Sequence, residues 1–503
     1  MMTSNNTIHK TCFFIIILLI SYLHSISQAQ ESINQTSLNL QQAIGIATDS
    51  SLSSFKAKYI YLSGYWQYRT YQAERLPSLT LNLIPMQYNR NFVKRYDSQN
   101  DIDIYKAQQS VYSNANLVMS QNLDLTGGVF FIDTELDYLR NIGIGYQEQY
   151  SSVPFRIGYM QSLFGYNLFK WEKRIEPLHF EKIKKELIYN LEEISEQTTE
   201  FFFEQALNQV LFQIARQNVN NCDTLFAIGK ERYQIGSISH ADLLTIKLNV
   251  INAKIKVKDT EAKYKESAFN LSSYLQGDSQ FCFNLEIPLQ ILNLNISVDK
   301  ALLIAKENNP IIPRIKEDIL KAKQNLDKTV KESRFSASVS ASLGFNQIAS
   351  ELSNTYIKPL RQDLVSLDLK IPILDWGLRN GKINMAKKNL SAVTISSRQS
   401  EQVFEQAVRV AVYDYNVRQS QMSLLSEAKE ISNEAYENAK QLFYIGKSDL
   451  NSVNVALNNK IEAEGNFVTA LKKYWLSYFY IRKLTLYDFV NRKPIAIDFR
   501  QIN

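Results

Sequence analysis

The sequence predicts a mixed α/β membrane protein built from two copies of one structural repeat. Three observations predict it: two long helical segments that match each other, short alternating segments that precede each of them, and an apolar stretch near the N-terminus. Each half contains too few alternating segments to form a separate all-β sandwich. Helices and strands are therefore expected to belong to one architecture.

Residues 1–29 are expected to be a secretory signal peptide. Met1–Lys10 is polar with one cation, Thr11–Leu23 is almost wholly apolar, and Ser27-Gln28-Ala29 places small residues before a cleavage site after Ala29. The alternative is an uncleaved anchor, although the apolar run is short for a membrane span. No other stretch of the sequence approaches 18 apolar residues, so an integral membrane form would have to be a closed β-barrel.

The first helix of each half is expected to be about 35 residues long. Leu38–Arg75 opens the first half, and Ile296–Arg334, which passes through Asn308-Asn309-Pro310, opens the second. These helices lie 258 to 259 residues apart, whereas the later helices lie 210 apart. We therefore place a 49-residue insertion in the first half, between about residues 100 and 152.

The period then changes from 3.6 to 2, which predicts strands with one apolar and one polar face. The alternating segments are Leu79–Leu83 and Phe155–Tyr159 in the first half, and Phe335–Phe345 and Leu367–Ile373 in the second. About ten alternating residues suffice to cross a bilayer as a tilted strand. A soluble sandwich remains the alternative, because period 2 does not distinguish lipid from a protein core.

The insertion contains one more alternating segment, after Thr126-Gly127-Gly128. Its two sides are Phe130, Ile132, Thr134, Leu136 and Tyr138, and Asp133, Glu135 and Asp137. The pattern is compatible either with a hairpin that extends beyond the membrane or with additional strands in it.

Two long helical hairpins are expected to follow the strands, one in each half. The tetrapeptides at their tips, Tyr233-Gln234-Ile235-Gly236 and Phe443-Tyr444-Ile445-Gly446, lie 210 residues apart. The same offset pairs Phe203 with Tyr413, Leu207 with Val417, Tyr264 with Tyr474 and Leu271 with Ile481. Each tip glycine is expected to end a helix in the left-handed conformation and reverse the chain.

The return arm of the first hairpin carries a seven-residue apolar repeat. Its members are Ala241, Leu248, Ile255, Ala262 and Phe269, with Leu244 and Ile251 between them. A heptad pattern predicts coiled-coil contact with neighbouring helices. The resulting domain organisation is a signal peptide (1–29), a first repeat (30–293), a second repeat (294–490) and a C-terminal tail (491–503).

Composition argues against several functional classes. The formal charge of +6 is mild and no basic stripe with interleaved aromatics indicates nucleic-acid binding. After the leader the chain contains only His179 and His240, with Cys222 and Cys282, so no metal site, cofactor site or catalytic constellation is expected. The two cysteines are either two isolated thiols or one disulfide.

The order and spacing of several motifs resemble the TolC family of outer-membrane efflux proteins, over about residues 36 to 489. The motifs are Arg75-Leu76-Pro77-Ser78-Leu79 before the first strand, Gln161-Ser162-Leu163-Phe164-Gly165 and Ile371–Gly377 at the strand-to-helix exits, and Arg232–Gly236 followed by Asp242-Leu243-Leu244. The resemblance implies a homotrimer whose subunits each give about four strands to a shared transmembrane β-barrel and two hairpins to a helical periplasmic tunnel.

The resemblance also implies a passive exit channel. A periplasmic membrane-fusion adaptor would join it to an inner-membrane pump of the resistance-nodulation-division (RND) or ABC class, for efflux or type I secretion. Adaptor contacts would fall on the tip residues Arg232, Tyr233, Gly236, Phe443 and Gly446.

Family members close the tip with acidic rings just after the glycine. Asp242 matches such a position in the first half, whereas the second half has Asn451 or Ser452 there and Asp449 nearer the glycine. Asp242 and Asp449 are therefore gate candidates, and a helix N-cap is the alternative role for Asp242.

Three other functional classes are compatible with parts of the sequence. A periplasmic adaptor would carry one hairpin between small β-domains, which does not fit the duplication. A secreted enzyme lacks a recognisable constellation, and a coiled-coil surface protein would not explain the alternating strands.

Overall fold

The computed structural model describes residues 37–142, 146–275 and 283–502. The expected signal peptide and Cys282 lie outside the described residues. The chain divides into two compact units. Unit 1 contains the described residues up to Lys56, Asn190–Ile296 and Ala411–Lys483. Unit 2 contains Ala57–Tyr189, Ser297–Val410 and the described residues from Leu484 onward.

The α-helices account for most of the described residues. They are α1 Leu40–Ser50, α2 Leu52–Ala73, α3 Leu168–Gln234, α4 His240–Tyr274, α5 Val298–Asn308, α6 Ile311–Glu332, α7 Leu378–Tyr444 and α8 Leu450–Thr485. Short 3₁₀ segments occupy Leu352–Tyr356 and Phe499–Gln501. None of the described helices is both long enough and apolar enough to cross a bilayer.

The opening helix of each half was expected to be continuous, and both are broken. In the first half Ser51 is extended and its Oγ accepts a hydrogen bond from the Ser54 amide at 3.1 Å, so that it starts a new helix. In the second half the clash with Pro310 keeps Asn309 extended, with ψ of 138°. The Asn309 side chain then donates to the Leu484 carbonyl at 2.8 Å, which fixes the break.

One antiparallel sheet dominates unit 2. Its strands are β2 Ser78–Asp97, β3 Ile102–Asn122, β4 Val129–Ile142, β5 Gln147–Leu163, β7 Ser336–Ala349 and β8 Leu360–Lys370, in the order β2-β3-β4-β5-β7-β8. Two small pairs lie elsewhere: parallel β1 Ser37–Asn39 with β6 Asn284–Glu286, and antiparallel β9 Tyr487–Asp488 with β10 Lys493–Pro494.

The sheet corrects the expected strand number, because the chain contributes six strands to it and not four. The insertion supplies β3 and β4, which join the sheet between β2 and β5. Gly127, with φ of +75°, makes the tight reversal between β3 and β4. The alternating segment of the insertion is therefore part of the sheet, and β2 and β3 extend it as a longer two-stranded ribbon up to Asp97 and Ile102.

The two faces of the sheet differ in chemistry. In the strand register Ser338, Ser340 and Ser342 of β7 share a face, and Ser340 lies opposite Ser366 with the two hydroxyl oxygens 2.7 Å apart. Val339, Ala341 and Leu343 lie on the other face, and Leu343 is 53% exposed. The alternation read from the sequence is thus retained, with one polar face and one exposed apolar face.

Helices α3 and α6 of unit 2 enclose a buried carboxylate. Glu317 is 1% exposed, and its oxygens lie 2.8 Å from Nδ1 of His179, 2.9 Å from Nζ of Lys182 and 2.6 Å from Nζ of Lys321. Burial alone would raise the pKa of Glu317. The hydrogen bonds from His179, Lys321 and Lys182 outweigh burial and hold the pKa well below its usual range.

Two helical hairpins extend into unit 1. Helices α3 and α7 each have 67 residues, and they begin and end 210 positions apart. The return helices α4 and α8 have 35 and 36 residues. Pro177 lies within α3, nine residues after the helix begins.

The core of unit 1 includes a pair of buried tyrosines from the second hairpin. Tyr415 and Tyr474 are fully buried, and their hydroxyl oxygens are 3.1 Å apart. Both hydroxyls form hydrogen bonds with the backbone of Leu292. The Tyr474 hydroxyl accepts from the Leu292 amide at 2.9 Å and donates to the Leu292 carbonyl at 3.0 Å, and the Tyr415 hydroxyl donates to the same carbonyl. The segment after α4 is thereby fixed against α7 and α8.

Candidate functional site

The tips of the two hairpins in unit 1 have the same backbone geometry. Gly236 and Gly446 have φ of +74° and +80°, and each is the second residue after the end of α3 or α7. The amide after each glycine donates to a carbonyl five residues back, at 2.8 Å from Ser237 and 2.9 Å from Lys447. Both turns are Schellman motifs, in which the helix-ending residue requires a left-handed conformation.

The return helices begin with the same pair of residue types in opposite order. At the first tip Ser239 is the N-cap, and its Oγ accepts from the Asp242 amide at 3.1 Å while Asp242 accepts from the Ser239 amide at 3.0 Å. At the second tip Asp449 precedes α8 and accepts from the Ser452 amide at 2.8 Å. Asp242 is thus the third helical residue of a capping box, whereas Asp449 occupies the cap itself.

Both carboxylates are stabilised as anions by these contacts. The Ser239 hydroxyl and amide lower the pKa of Asp242, and the Ser452 hydroxyl and amide lower the pKa of Asp449. Each also lies near the positive end of a helix dipole. The N-cap role considered for Asp242 belongs instead to Ser239, and Asp242 is its capping-box partner, whereas Asp449 itself accepts from the first turn of its helix.

Arg232 joins the two tips. Its Nη2 donates to the Phe443 carbonyl at 2.8 Å and to the Tyr444 carbonyl at 3.3 Å, the last carbonyls of α7. Its guanidinium also lies 5.1 Å from the centre of the Phe443 ring. A cation on the free carbonyls at a helix C-terminus is favourable. The guanidinium of this predicted adaptor-contact residue is therefore engaged within the chain.

A hydrophobic cluster beneath the tips draws on all four arms. Its buried members are Leu225, Ile246, Tyr436, Phe443 and Val453. Asn221 donates to the Tyr436 hydroxyl at 2.7 Å, and burial raises the pKa of Tyr436 to about 12. The tip turns therefore pack on this hydrophobic cluster. Phe443, which was predicted as an adaptor contact, belongs to the cluster and is 5% exposed.

One cavity of about 430 Å³ opens between the two tips. Its lining includes Arg232, Asp242 and Asp449, together with Phe443 and Asn451. The structure thus brings both gate candidates and the linking guanidinium to one pocket, although their positions in the two return helices are not equivalent.

The outward surface of the tips includes exposed apolar side chains. Tyr233 is 41% exposed and packs its ring 5.6 Å from that of His240, while Ile235 and Ile445 are 77% and 64% exposed. Sequence reasoning had chosen Tyr233 but not the two isoleucines. Their place immediately before each tip glycine, in a turn that cannot bury them, was the signal that could have identified them.

The apolar heptad of α4 faces away from the rest of unit 1. Leu244, Leu248, Ile251, Ile255 and Phe269 are all roughly half exposed. The opposite side of α4 is buried within the unit, through Ile246, Val250, Ala253, Thr260, Ser267, Ala268 and Leu271. The helix therefore has two packing faces, and only one of them is covered in a single chain.

Helix α7 carries a second uncovered stripe. Leu424 and Ile431, seven residues apart, are 66% and 59% exposed, and Val410 is 58% exposed at the same spacing two heptads earlier. These positions repeat every seven residues along the helix, which is the spacing of a coiled-coil seam.

Cys222 is buried in unit 1 and packs with Val250 and Ala253. Burial raises the pKa of the Cys222 thiol, so the reactive thiolate is disfavoured. A bond to Cys282 lies outside the described residues.

Residues 307–484 match the family model described as "Outer membrane efflux protein". No curated protein matches the sequence significantly. The described fold resembles solved channels at low sequence identity. The CmeC outer membrane channel of Campylobacter jejuni is 14% identical, with 92% of this chain and 88% of that chain covered and a TM-score of 0.60.

Two further solved structures give the same result. The outer membrane protein VceC of Vibrio cholerae is 12% identical, with 89% and 95% covered and a TM-score of 0.62. The open state of the MtrE outer membrane channel of Neisseria gonorrhoeae is 14% identical, with 91% and 93% covered and a TM-score of 0.59. The mixed α/β fold of these channels is thereby established for this chain.

Proposed function

We propose, from the match of residues 307–484 to the outer membrane efflux protein model, that this protein is an outer-membrane exit channel. It would conduct its cargo passively, delivered by an inner-membrane pump of the RND or ABC class through a periplasmic adaptor. The role would be efflux or type I secretion.

The observation that carries the proposal is the sheet of unit 2. Its six antiparallel strands present an exposed apolar face and a polar face, and the same chain carries two long helical hairpins. A transmembrane channel built from strands requires a sheet with one apolar face towards lipid and one polar face towards water. An adaptor would need neither the amphipathic sheet nor the second hairpin.

Trimerisation is supported by two uncovered stripes on different helices. The α4 stripe, centred on Leu248 and Ile255, and the α7 stripe, containing Leu424 and Ile431, are each exposed in the single chain. Two different surfaces that pack against each other form a heterologous contact, and such contacts form a closed ring when the rotation between successive copies closes. We propose that α4 of one copy packs on α7 of the next and that three copies complete one ring.

The edges of the sheet support the same assembly. Within the described residues β2 and β8 each pair on one side only. Unpaired backbone groups are costly in lipid, so a membrane-embedded sheet must close on itself. Pairing β2 of one copy with β8 of the next would convert three open sheets into one transmembrane barrel.

The assembly and its channel activity can be tested together. Protein extracted from the outer membrane in detergent should migrate as a trimer that heating dissociates, and it should form ion-conducting channels in planar bilayers without nucleotide. A monomer that stays soluble without detergent would contradict the proposal, and a trimer that does not conduct would contradict the channel role.

We also propose that the adaptor docks on the apolar surface of the tips. Tyr233 with Ile235 and Ile445 would provide the contact, while Gly236 and Gly446 shape the turns that present them. Phe443 and Arg232 would support this surface from below, because their own contacts lie within the chain.

The gate in this proposal is the contact that Arg232 makes with the end of α7. Arg232→Leu should loosen the tips and raise single-channel conductance, whereas Arg418→Leu, which removes only a pair with Asp414 on the same helix, should not. Unchanged conductance in Arg232→Leu would show that the gate lies elsewhere.

The two carboxylates would act as charges beside that contact. Asp449→Asn keeps an effective helix cap and removes the charge. If Asp449 contributes to the gate, block of the channel by divalent cations should weaken in this variant while thermal stability is retained. If block is unchanged, Asp449 is a cap alone.

A further inference from the structure

The strands of the insertion lie in the middle of the sheet and not at its margin. β3 pairs with β2 along Ile102–Ser120 and with β4 along Gln109–Asn122, and β4 pairs with β5 along nearly its whole length. In the described sheet β3 is the only partner of β2, and β4 is a partner of β5. The insertion therefore forms one sheet together with β2, β5, β7 and β8.

The added strands β3 and β4 also continue the apolar face of the sheet. In the register Leu81 of β2 lies beside Leu117 of β3, and Met119 lies beside Ile132 of β4, which in turn lies beside Ile157 of β5. One apolar face thus runs without interruption from β2 through the insertion to β5. A hairpin that stood in water above the membrane would not need it.

On the opposite face a polar network fastens the added strands to the sheet. Arg156 of β5 donates from Nε to Asp133 of β4 at 2.9 Å, and its Nη2 lies 3.5 Å from Glu135. Asn114 of β3 donates to Glu135 at 3.0 Å and to Asp137 at 2.7 Å. Three strands are joined by charged and amide groups, which is compatible with a face that lines water.

We propose that three copies close a barrel of eighteen strands, six from each chain, and that this barrel is wide enough to pass large hydrated cargo. The proposal rests on the trimeric channel proposed above. Barrel diameter grows roughly linearly with strand number, so the wall would be about 1.5 times as wide as one with four strands per chain. Barrels of sixteen to eighteen strands enclose an aqueous channel that side chains do not fill. The cargo class would be bulky hydrophilic solutes and polymers as well as small molecules.

Cysteine pairs test which strands meet between copies. In a background with Cys222 and Cys282 replaced by serine, Leu79, Leu81 or Leu83 of β2 would be combined with Val365, Leu367 or Leu369 of β8, one cysteine in each strand. Mild oxidation should yield covalently linked trimers for at least one combination. The matched control joins Leu117 of β3 with Leu367, which the sheet order separates, and should yield none.

Neutral polyethylene glycols of graded size test the width directly. Added from the side of the barrel mouth, they should enter and lower the conductance of the wild-type channel up to a hydrodynamic radius about 1.5 times that expected for twelve strands. A twelve-strand cutoff, or trimers in which no β2–β8 combination crosslinks, would overturn the eighteen-strand wall while leaving the channel intact. Absence of trimers altogether would instead contradict the proposed function.

Discussion

At the scale of single residues, the tip glycines are required by backbone conformation and not by space. A Cβ at Gly236 would meet no atom within 4 Å, yet its φ is +74°. Gly236→Ala should therefore destabilise the turn by about 1–2 kcal/mol. The matched control is Gly465→Ala in α8, which is equally open but helical and should stabilise by about 0.5–1 kcal/mol.

Thermal unfolding in detergent would measure both variants. An equal effect of the two substitutions would contradict a left-handed requirement at Gly236. Bulkier residues at Gly236 or Gly446 should abolish export while trimers remain in the membrane, which an export assay together with heat-modified migration would show. Retained export would contradict the role of the tip turns.

Glu317 makes stability depend on pH in a defined direction. Its pKa is held well below the unfolded value of 4.5, so its ionised form stabilises the folded state. That contribution is fully present above about pH 5 and is lost progressively as the pH falls below 4.5 towards the folded pKa. Glu317→Gln should cost about 3–5 kcal/mol at pH 7, since Lys182 and Lys321 would lose their charged partner.

The difference in unfolding free energy between wild type and Glu317→Gln should therefore shrink as the pH is lowered from 5 to 3. Glu261→Gln is the control, because Glu261 pairs with Lys258 and Lys265 at an exposed site where substitution should change stability little. A difference that stays constant with pH would contradict the role assigned to the Glu317 carboxylate.

At the scale of elements, the outer stripe of α4 should matter for assembly and not for folding of the chain. Leu248→Gln combined with Ile255→Gln should leave helix content unchanged, since both side chains are more than half exposed in one chain. The temperature at which trimers dissociate on a gel should fall, because about 1–1.5 kcal/mol of burial, half the value for a fully exposed side chain, is lost for each. Lys256→Gln, on the same helix, should have no such effect. An unchanged dissociation temperature would place the subunit contact elsewhere.

Elements with a strong local signal could be predicted from the sequence. The tip turns follow from glycines in matched settings, and four of the six sheet strands follow from alternation alone. Local signals were insufficient where the structure depends on contacts with residues that are distant in the sequence. The alternating segment of the insertion could not be assigned until the structure showed its pairing with β3 and β5, and the side chain of Arg232 finds its carbonyls 211 and 212 residues away.

At the scale of the whole molecule, the division into two compact units does not follow the division into two repeats. Each unit takes segments from both halves of the chain. Residues 30–293 and 294–490 are therefore not expected to fold separately, because each would lack partners that the other supplies in both units. Expression of either half alone should give aggregated protein, and co-expression of the halves should restore detergent-soluble material. A stable, folded half would contradict this view.

The equal lengths of α3 and α7 have an evolutionary consequence. An added residue lengthens a helix by about 1.5 Å and rotates the residues beyond it by about 100°. If only α3 or only α7 gained a residue, the guanidinium of Arg232 on α3 would no longer reach the last carbonyls of α7. Indels in these two arms should therefore be fixed in compensating pairs, so that among relatives their lengths co-vary even where their sequences do not.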